Sequence, residues 1–330
     1  MPFSPPEHIF ADERPFRECH AATLVELPDG RFLVAWFGGT HEKHPDVGIW
    51  GATRSAGEWT PPRLLAKIRE SPHWNPVLFL SPEGQVHLFF KVGDEIPIWE
   101  TWRIISADGG ETWSEPAELV PGDRGGRGPV KNKPILLSDG AWLAPASLEK
   151  KVVREDGARY GVWDAFTDRS DDAGCTWQAS PLVPLDHAGF AGAGVIQPTL
   201  WESGGSVHML LRSTMGRICR SDSVDGGRTW APVYPTDLPN NNSGLDLARL
   251  PDGRLVLVYN PVPGDWAART PLSVAVSSDD GATWRRVVDL ETAPGEYSYP
   301  AVIPTRTGVA VAYTWRREHM CFWQASAEDL

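Results

Sequence analysis

Short apolar runs, each joined to the next by a polar turn, follow one another along the whole chain. The first pair is ATLVEL, residues 22–27, and FLVAWF, residues 32–37, separated by the turn PDGR. Apolar runs of this length between turn residues are typical of β-strands, and almost no segment has the longer period of a helix. The turn and second run recur six times, as DGRFLVAWF (29–37), EGQVHLFFKV (83–92), DGAWLAPAS (139–147), GGSVHMLLRS (204–213), DGRLVLVYN (252–260) and TGVAVAYTW (307–315). The pattern predicts an all-β fold built from repeated units.

A second motif lies between these strand pairs. Its full copies are SADGGETW (106–113), SDDAGCTW (170–177), SVDGGRTW (223–230) and SSDDGATW (277–284), and a shorter echo, RSAGEW, ends at Trp59. A repeat of about 50 to 60 residues with four strands is typical of a propeller blade. We therefore predict a six-bladed β-propeller that forms a single domain over residues 1–330. Its ring is closed by N- and C-terminal strands that share the last blade.

The repeated motif itself is predicted to be structural. In each copy the Asp can accept hydrogen bonds from backbone N–H groups, and the Gly can adopt backbone angles that other residues avoid. The Trp is expected to pack between neighbouring sheets, where a large aromatic side chain stabilises the contact. We therefore do not expect these Asp residues to be catalytic.

The composition narrows the classes of partner. A net charge of −12 without basic clusters argues against nucleic-acid binding, whereas a local group of cations could still bind an anionic sugar. No apolar run could span a membrane, and MPFSPPEHIF lacks the pattern of a signal peptide. The 4 cysteines lack disulfide or metal-site spacing. We expect a cytoplasmic monomer or weak homo-oligomer with no metal or cofactor.

Propeller geometry indicates where a site would lie. Inner strands begin, and second strands end, at the face of a propeller that usually binds ligands. Polar residues predicted at or near the starts of inner strands are His20, Asn75, Lys133, Gln197, Asn242, Asp246 and Tyr297. Those at the ends of second strands, or in the loops that follow, include His41, Glu42, His44, Asp46, Lys91, Glu149, Arg212, Arg269 and Arg316. Both sets are expected at the mouth of the central channel.

Several of these residues have a simpler structural interpretation. Asn75, Gln197 and Asn242 could form hydrogen bonds to strand ends, and Lys133 or Lys131 could lie on the surface. Arg212 is different because it interrupts the apolar strand VHMLLR, where an unpaired charge would be costly. Its position favours a functional role.

The motif S-x-D-x-G-x-T-W resembles the Asp-box of the sialidase superfamily. The segments CHAATLVELPDG, GRGPVKNKPI, GVIQPTLWES, LPNNNSGLDL and GEYSYPAVI are similar to bacterial sialidase-like proteins. Those proteins are related to propellers that cleave rhamnosyl-glucuronate in plant gums. The resemblance covers essentially the whole chain. Asp-boxes also occur in non-enzymatic propellers, so the motif supports the fold more than the activity.

The resemblance also implies roles for individual residues. Sialidases hold the substrate carboxylate with three arginines, and they use an Asp as acid/base and a tyrosine nucleophile assisted by a glutamate. The segments MLLRST and RTPLSVAVSSDDG place Arg212 and Arg269 at the second and third arginines. GEYSYP places Tyr297 at the nucleophile, and Asp46 falls near the acid/base loop.

The sequence departs from the family pattern at two places. His20 stands where the first arginine is expected, and the late Tyr-Glu pair reads Tyr313-Thr314. The assisting glutamate is not assigned by the resemblance, and Glu149 is a candidate. The missing arginine weakens the match to sialic acid and favours a uronic acid.

Three functions are consistent with these residues. The first is an exo-acting hydrolase of a sialic or uronic acid linkage, with Asp46 as acid/base and Tyr297 as nucleophile. The second is a lyase that cleaves rhamnose from glucuronate by elimination, with His20 or Tyr297 as the base. The third is a sugar-binding propeller without catalysis. In each case the partner is an anionic oligosaccharide, with the expected binding residues Arg212, Arg269, Lys133, Asn75, Gln197, His41, Lys91, Asn242 and Asp246.

Overall fold

A computed structural model describes residues 3–153 and 159–330, which form six β-sheets arranged as the blades of a propeller. Each blade has four antiparallel strands, called here inner, second, third and outer from the channel outwards. The inner strands of the first and last blades lie side by side and so close the ring. The prediction of an all-β, six-bladed propeller is confirmed.

The strands follow the predicted units. Blade 1 contains Glu18–Glu26, Phe32–Gly39, Gly48–Ser55 and Glu58–Trp59, with Arg63–Ala66 also paired to its third strand. Blade 2 contains His73–Leu80, Val86–Val92, Glu100–Ser106 and Ala117–Glu118, and blade 3 contains Ile135–Leu136, Trp142–Val153, Arg159–Ser170 and Gln178–Ala179. Blade 4 contains Val195–Ser203, Ser206–Ser213, Arg217–Ser223 and Tyr234–Pro239, and blade 5 contains Asp246–Arg249, Leu255–Tyr259, Leu272–Ser277 and Arg285–Glu291. Blade 6 contains Tyr297–Pro304, Gly308–Trp315, His319–Ser326 and, as its outer strand, Glu7–His8.

The ring is closed as the sequence predicts. Glu7 pairs with Phe322 and His8 with Cys321, so a strand from the N-terminus completes the blade formed by the C-terminus. The 3₁₀ turn Ile96–Ile98 is the one helical element in the described ranges. Within the part of the chain that the structure describes, we find no apolar helix of membrane-spanning length.

Large apolar side chains fill the layers between blades. Trp36 packs with Phe322 between blades 1 and 6, and Trp142 packs against Phe79 between blades 2 and 3. The exposed fraction of each of these tryptophans is 2% or less. Burial of apolar area at about 25 cal/mol per Å² is the main term that holds neighbouring blades together.

The Asp-box stabilises a turn, as predicted. In the copy at 223–230, Asp225 accepts hydrogen bonds from the N–H of Thr229 at 2.9 Å and from its hydroxyl at 2.6 Å. Gly227 has a φ of 81°, and Trp230 packs against blade 3, where its Nε1 donates to the Thr167 hydroxyl at 3.0 Å. The carboxylates of Asp108, Asp172 and Asp279 accept the same pair of bonds from their threonines.

Replacing Asp225 with alanine is expected to lower the free energy of unfolding by about 1–2 kcal/mol at neutral pH, because the hydrogen bonds from Ser223 and from the N–H and hydroxyl of Thr229 lose their acceptor. Although burial raises it, hydrogen bonds from Thr229 and Ser223 lower the pKa of Asp225 to about 2. A carboxyl whose pKa is lowered by folding stabilises the protein above its unfolded pKa of about 4, and this contribution is lost as pH falls towards 2.

Urea denaturation from pH 7 downwards measures this effect. The difference between wild type and Asp225→Ala should shrink below about pH 4. The matched control is Asp237→Ala, since that side chain is fully exposed and lies 3.6 Å from Arg217. A loss of stability in the control equal to that in Asp225→Ala would contradict the role of the Asp-box.

Candidate active site

Four inner strands contain a β-bulge at an equivalent place. The register shifts lie between His20 and Thr23, Trp74 and Val77, Ile196 and Thr199, and Ser298 and Ala301. One residue in each bulge has a left-handed backbone, with φ between 37° and 59°, at Ala21, Asn75, Gln197 and Tyr299. Such a backbone is strained for a tyrosine and is found mostly where function requires it. A bulge re-aims a side chain, and in blade 6 it turns Tyr299 into the channel.

Tyr299 lies at the centre of the channel, because it contacts residues from three other parts of the ring. Its hydroxyl accepts hydrogen bonds from Nη1 of Arg212 at 2.7 Å and from Nε2 of Gln197 at 3.3 Å, both in blade 4. Its ring centroid is 4.2 Å from that of His20, in blade 1, and 5.8 Å from Nζ of Lys131, just before blade 3. A hydroxyl held in this way is a candidate nucleophile or proton donor.

Arg212 ends the second strand of blade 4 and faces the channel, as its place in the sequence predicts. Its Nε donates to Oδ1 of Asn242 at 2.8 Å, and its Nη1 also donates to Oε1 of Gln197 at 3.1 Å. Asn242 in turn donates to Asp265 at 2.6 Å. The side chain is buried, so these bonds compensate for the removal of a permanent charge from water.

Two tryptophans enclose Arg212 from the solvent side. The guanidinium carbon lies 5.5 Å from the ring centroid of Trp163 and 5.4 Å from that of Trp266. These distances allow cation–π attraction, which helps to hold the guanidinium group in place. Trp266 is 63% exposed, so it also offers an apolar surface at the mouth of the channel.

Two further arginines, Arg269 and Arg317, share one carboxylate. Oε1 of Glu296 accepts hydrogen bonds from Nη1 of Arg269 at 2.7 Å and from Nε of Arg317 at 3.1 Å. Arg317 also donates to Glu42 at 2.5 Å. The guanidinium carbon of Arg269 is 5.7 Å from the ring of Tyr299, so this pair adjoins the central tyrosine.

Arg317 brings a positive charge close to His20. It lies in the turn after the second strand of blade 6, and its carbonyl accepts a bond from the N–H of Cys19 at 2.8 Å. It is therefore beside His20, which stands in the arginine position of the first inner strand. The neighbouring Arg316, expected at the mouth, instead stacks on Trp315, 4.6 Å from its ring centroid.

His20 is a neutral base in a positive environment. Burial lowers the pKa of His20 well below its usual value, and the charges of Arg317, Arg269 and Arg212 lower it further. Its Nδ1 is buried and has no hydrogen-bond partner among the described residues. A neutral imidazole with a free nitrogen can accept a proton or bind a substrate hydroxyl.

Glu149 lies in the second strand of blade 3, close enough to Arg212 for the two charges to interact. Burial raises the pKa of Glu149, Arg212 opposes the shift, and Glu42 adds to it. A buried carboxyl with a raised pKa is a candidate proton donor. A groove of about 410 Å³ begins at Glu149 and Trp163 and continues past Ile96. The groove is large enough for a small-molecule ligand.

The structure corrects the prediction for Tyr297. This residue lies in the same strand as Tyr299, but its ring packs in the apolar layer with Val258 and Leu272 of blade 5. Among the described residues, its hydroxyl accepts a hydrogen bond from Nη2 of Arg316, at 3.3 Å. Tyr299 therefore replaces Tyr297 as the candidate nucleophile.

Lys133 and Asp246 also lie away from the expected place. Nζ of Lys133 donates to Asp246 at 2.9 Å and to the carbonyl of Leu247 at 2.8 Å. Asp246 further accepts from the N–H of Val302 at 2.9 Å and from the hydroxyl of Thr199 at 2.7 Å. Lys133 lines a cavity among residues near the far ends of inner strands, so this pair ties blades together at the opposite end of the channel.

Asp46 and His41 belong to the loop over blade 1 but do not contact the central cluster. Asp46 accepts bonds from the N–H and hydroxyl of Thr40 at 3.0 and 2.6 Å, and lines a surface cavity with Arg14. Although burial opposes the effect, bonds from Thr40 and His44 lower the pKa of Asp46, so it is anionic at neutral pH. His41 is exposed, and its Nδ1 lies 2.9 Å from the carbonyl oxygen of Glu42.

Lys91 and Asn75, two further residues predicted to bind the ligand, are both buried. Nζ of Lys91 is buried and donates to the hydroxyl of Thr101 and to the carbonyls of Gly126 and Arg127. Asn75 is buried at its bulge, at the position equivalent to Tyr299. Asn75 therefore remains a candidate for the channel wall, whereas Lys91 supports the loop before blade 3.

Sequence reasoning missed Tyr299, Arg317 and the two tryptophans, and it considered Lys131, which is buried, only as a surface residue. A signal for Tyr299 is present: the bulged residue precedes a proline in Asn75-Pro76, Gln197-Pro198 and Tyr299-Pro300. Aligning the inner strands on that proline would have placed Tyr299, and not Tyr297, at the channel.

The comparisons with known proteins agree with this architecture. The family described as BNR repeat-like domain matches residues 30–311. The chain belongs to this family. It is a propeller of the sialidase superfamily. A comparison with curated proteins gives no match.

Three solved structures illustrate the similarity of the fold. A protein of unknown function from Dyadobacter fermentans has a TM-score of 0.77 at 18% identity, and the match covers 97% of both chains. The Hadza microbial sialidase Hz136 has a TM-score of 0.78 at 16% identity, over 98% of this chain and 69% of that one. The NanB sialidase of Streptococcus pneumoniae has a TM-score of 0.74 at 14% identity, over 99% of this chain and 71% of that one.

Proposed function

We propose that the protein is an exo-acting glycoside hydrolase of the sialidase type, which removes a terminal sialic or uronic acid from an oligosaccharide. The observation that carries the proposal is the hydrogen bond of 2.7 Å from Arg212 to the hydroxyl of Tyr299 inside the channel. A phenol attacks best as its anion, and a buried guanidinium group stabilises that charge. Sialidases are the glycosidases that use a tyrosine nucleophile, and the similarity of fold to sialidases supports the assignment.

The carboxylate of the substrate would bind near Arg269 and Arg317. Glu296 holds these two guanidinium groups together before substrate arrives. Their remaining N–H groups can form charge-assisted hydrogen bonds to a second carboxylate. His20 and the exposed ring of Trp266 would then contact the hydroxyls and the apolar face of the same sugar.

The reaction would proceed in two steps. The Tyr299 hydroxyl gives its proton to His20 as its oxygen forms a bond to the anomeric carbon; the bond to the leaving oxygen breaks, and Glu149 donates a proton to that oxygen. Glu149 then accepts a proton from water, whose oxygen attacks the anomeric carbon and releases Tyr299, and Tyr299 recovers its proton from His20. The groove beside Glu149 would receive the leaving group. Glu149 thus takes the role first expected of Asp46.

A second candidate function is elimination from a glucuronate that carries a terminal rhamnose. The observation that favours it is the buried, neutral His20, whose Nδ1 has no partner in the described part of the chain. Cations bound to the uronate carboxylate would acidify the C5 proton, and His20 could remove it. The pair of electrons from that C–H bond would form the C4–C5 double bond of an unsaturated uronate. The bond from C4 to the rhamnose oxygen would break, and Tyr299 would donate a proton to that oxygen.

Product analysis separates the two reactions. We expect the purified protein to release free sialic or uronic acid from a terminal linkage, with oxygen from ¹⁸O-labelled water in the product, as measured by mass spectrometry. Rhamnosyl-glucuronate should give no increase in the ultraviolet absorbance of an unsaturated uronate. That absorbance together with free rhamnose would instead establish elimination.

The control is the protein with Glu149→Gln, which keeps the shape of the groove but cannot donate a proton. Its activity is expected to fall by about 10²-fold or more on substrates with a poor leaving group, and by much less on an activated aryl glycoside. Absence of any product from both substrate classes would leave a sugar-binding propeller as the remaining function.

A further inference from the structure

Lys131 crosses the channel beneath Tyr299. Its side chain starts before blade 3, and its Nζ donates to Oδ1 of Asn132 at 2.8 Å and to the carbonyl of Leu245, at the start of blade 5, at 3.0 Å. It also donates to the carbonyl of Pro300, in the inner strand of blade 6. An ammonium group has three N–H donors, and here each has an acceptor. Lys131 therefore joins blades that lie on different sides of the channel.

The packing around Lys131 brings it against the central tyrosine. Pro300 directly follows Tyr299, so the bond to its carbonyl holds the bulge that carries the tyrosine. Gly244 leaves the space that both side chains use. A Cβ at Gly244 would lie 3.0 Å from Cε of Lys131 and 3.4 Å from the ring of Tyr299. A larger residue would have to displace one of the two.

We propose that Lys131 is a positioning residue for Tyr299, and that its ammonium group both fixes the bulge and balances the phenolate charge from below during the reaction. The inference rests on the proposed function, in which Tyr299 is the reacting group. Lys131 does not reach the substrate pocket itself, because Nζ lies under the tyrosine ring, 5.8 Å from its centroid, and its donors are occupied. It acts through Tyr299.

The charge of Lys131 is sensitive to pH near neutrality. Burial lowers the pKa of Lys131 to about 7, Asp246 opposes this shift, and Lys133 and Arg212 add to it. His20 faces the same space and is held neutral there. The ammonium group is therefore present below about pH 7 and is lost as pH rises above it. Because Tyr299 needs that charge, turnover should decrease on the alkaline side of neutrality.

The test compares kcat and KM as functions of pH for wild type, Lys131→Met and Lys131→Arg. Lys131→Met should lower kcat by about 10²-fold at its optimum, the effect of removing one preorganised donor, with KM nearly unchanged. Lys131→Arg keeps a permanent charge, so its residual activity should lack the decline above pH 7. Gly244→Ala should reproduce the loss of kcat without altering any charge.

Lys133→Met is the matched control, because Lys133 also lies next to Asp246 but at the opposite end of the channel. It should retain the wild-type KM and a decline of kcat at alkaline pH, whatever it does to stability in urea. Because the charge of Lys133 helps to lower the pKa of Lys131, its removal should move that decline to higher pH. A pH profile that is unchanged in shape in both Lys131 variants, or an equal loss of kcat in Lys133→Met, would overturn the inference and leave the proposed function standing. If wild type turns over no substrate, the proposed function fails, and with it the inference that depends on it.

Discussion

Replacing Tyr299 with phenylalanine is expected to lower kcat by about 10³-fold or more, as loss of a covalent nucleophile does in other hydrolases. The substitution removes the oxygen that would attack the sugar and leaves the ring beside His20 in place. It also leaves Arg212 without one of its acceptors, although the bonds to Gln197 and Asn242 remain. Steady-state kinetics on the best substrate measures the effect. Urea denaturation should show a change in stability of about 1 kcal/mol.

The matched control for this experiment is Tyr297→Phe. Tyr297 lies two residues earlier in the same strand, and its hydroxyl contacts Arg316 away from the channel. We expect kcat/KM to stay within about 2-fold of wild type, because this change touches no reacting atom. Equal losses of activity in the two variants would mean that disturbance of the strand, and not removal of the Tyr299 hydroxyl, lowers the rate. Undiminished activity in Tyr299→Phe would exclude the tyrosine as nucleophile and favour His20.

The fold could be predicted from the sequence because its signals are local and repeated. Each Asp-box closes its own turn through bonds between residues four apart, such as Asp225 and Thr229. Six copies of a strand pair then leave little freedom in the architecture, since each unit must bury its faces against its neighbours. The closure of the ring by the N-terminal strand followed from counting strands alone.

The register of the site could not be predicted in the same way. Regular alternation along GEYSYP gives no reason to choose one tyrosine, and a β-bulge reverses which side chains face the channel beyond it. The bulge in blade 6 turns Tyr299 inwards and leaves Tyr297 in the apolar layer. In the segment VKNKPIL, Lys131 likewise faces the tyrosine, whereas Lys133 faces the other end of the channel.

Sequence patterns also could not predict which charged residues of one blade lie next to a residue of another. Arg317 comes from a turn in blade 6, yet it lies beside His20 at the start of blade 1. The inner strand of blade 1 therefore has a positive charge next to His20, although that strand itself supplies a histidine there. Glu149 depends in the same way on long-range packing, because burial raises its pKa against the opposing charge of Arg212. Such contacts join residues far apart in the chain.

Replacing Arg212 with lysine is expected to lower kcat/KM by about 10²- to 10³-fold, although the charge is retained. The guanidinium group reaches Tyr299, Gln197 and Asn242 at once, in a plane held between two tryptophan rings. An ammonium group on a shorter, single-point side chain cannot occupy all three positions. Arg212→Met should cost more, because the buried amides lose their charged partner and the phenolate loses its counter-charge.

Kinetics on one substrate, together with the affinity for the released acidic sugar by calorimetry, checks this prediction. Arg220→Lys is the control, since Arg220 lies in the third strand of the same blade, away from the channel. Its guanidinium carbon is 5.0 Å from the ring centroid of Trp201, and its Nε is 2.9 Å from Oδ1 of Asp222. It should lower stability without changing kcat/KM. If Arg212→Lys lowered only the affinity for product and left kcat unchanged, Arg212 would bind the substrate carboxylate in the ground state. The stabilisation of Tyr299 would then have to come from Lys131 and Arg269.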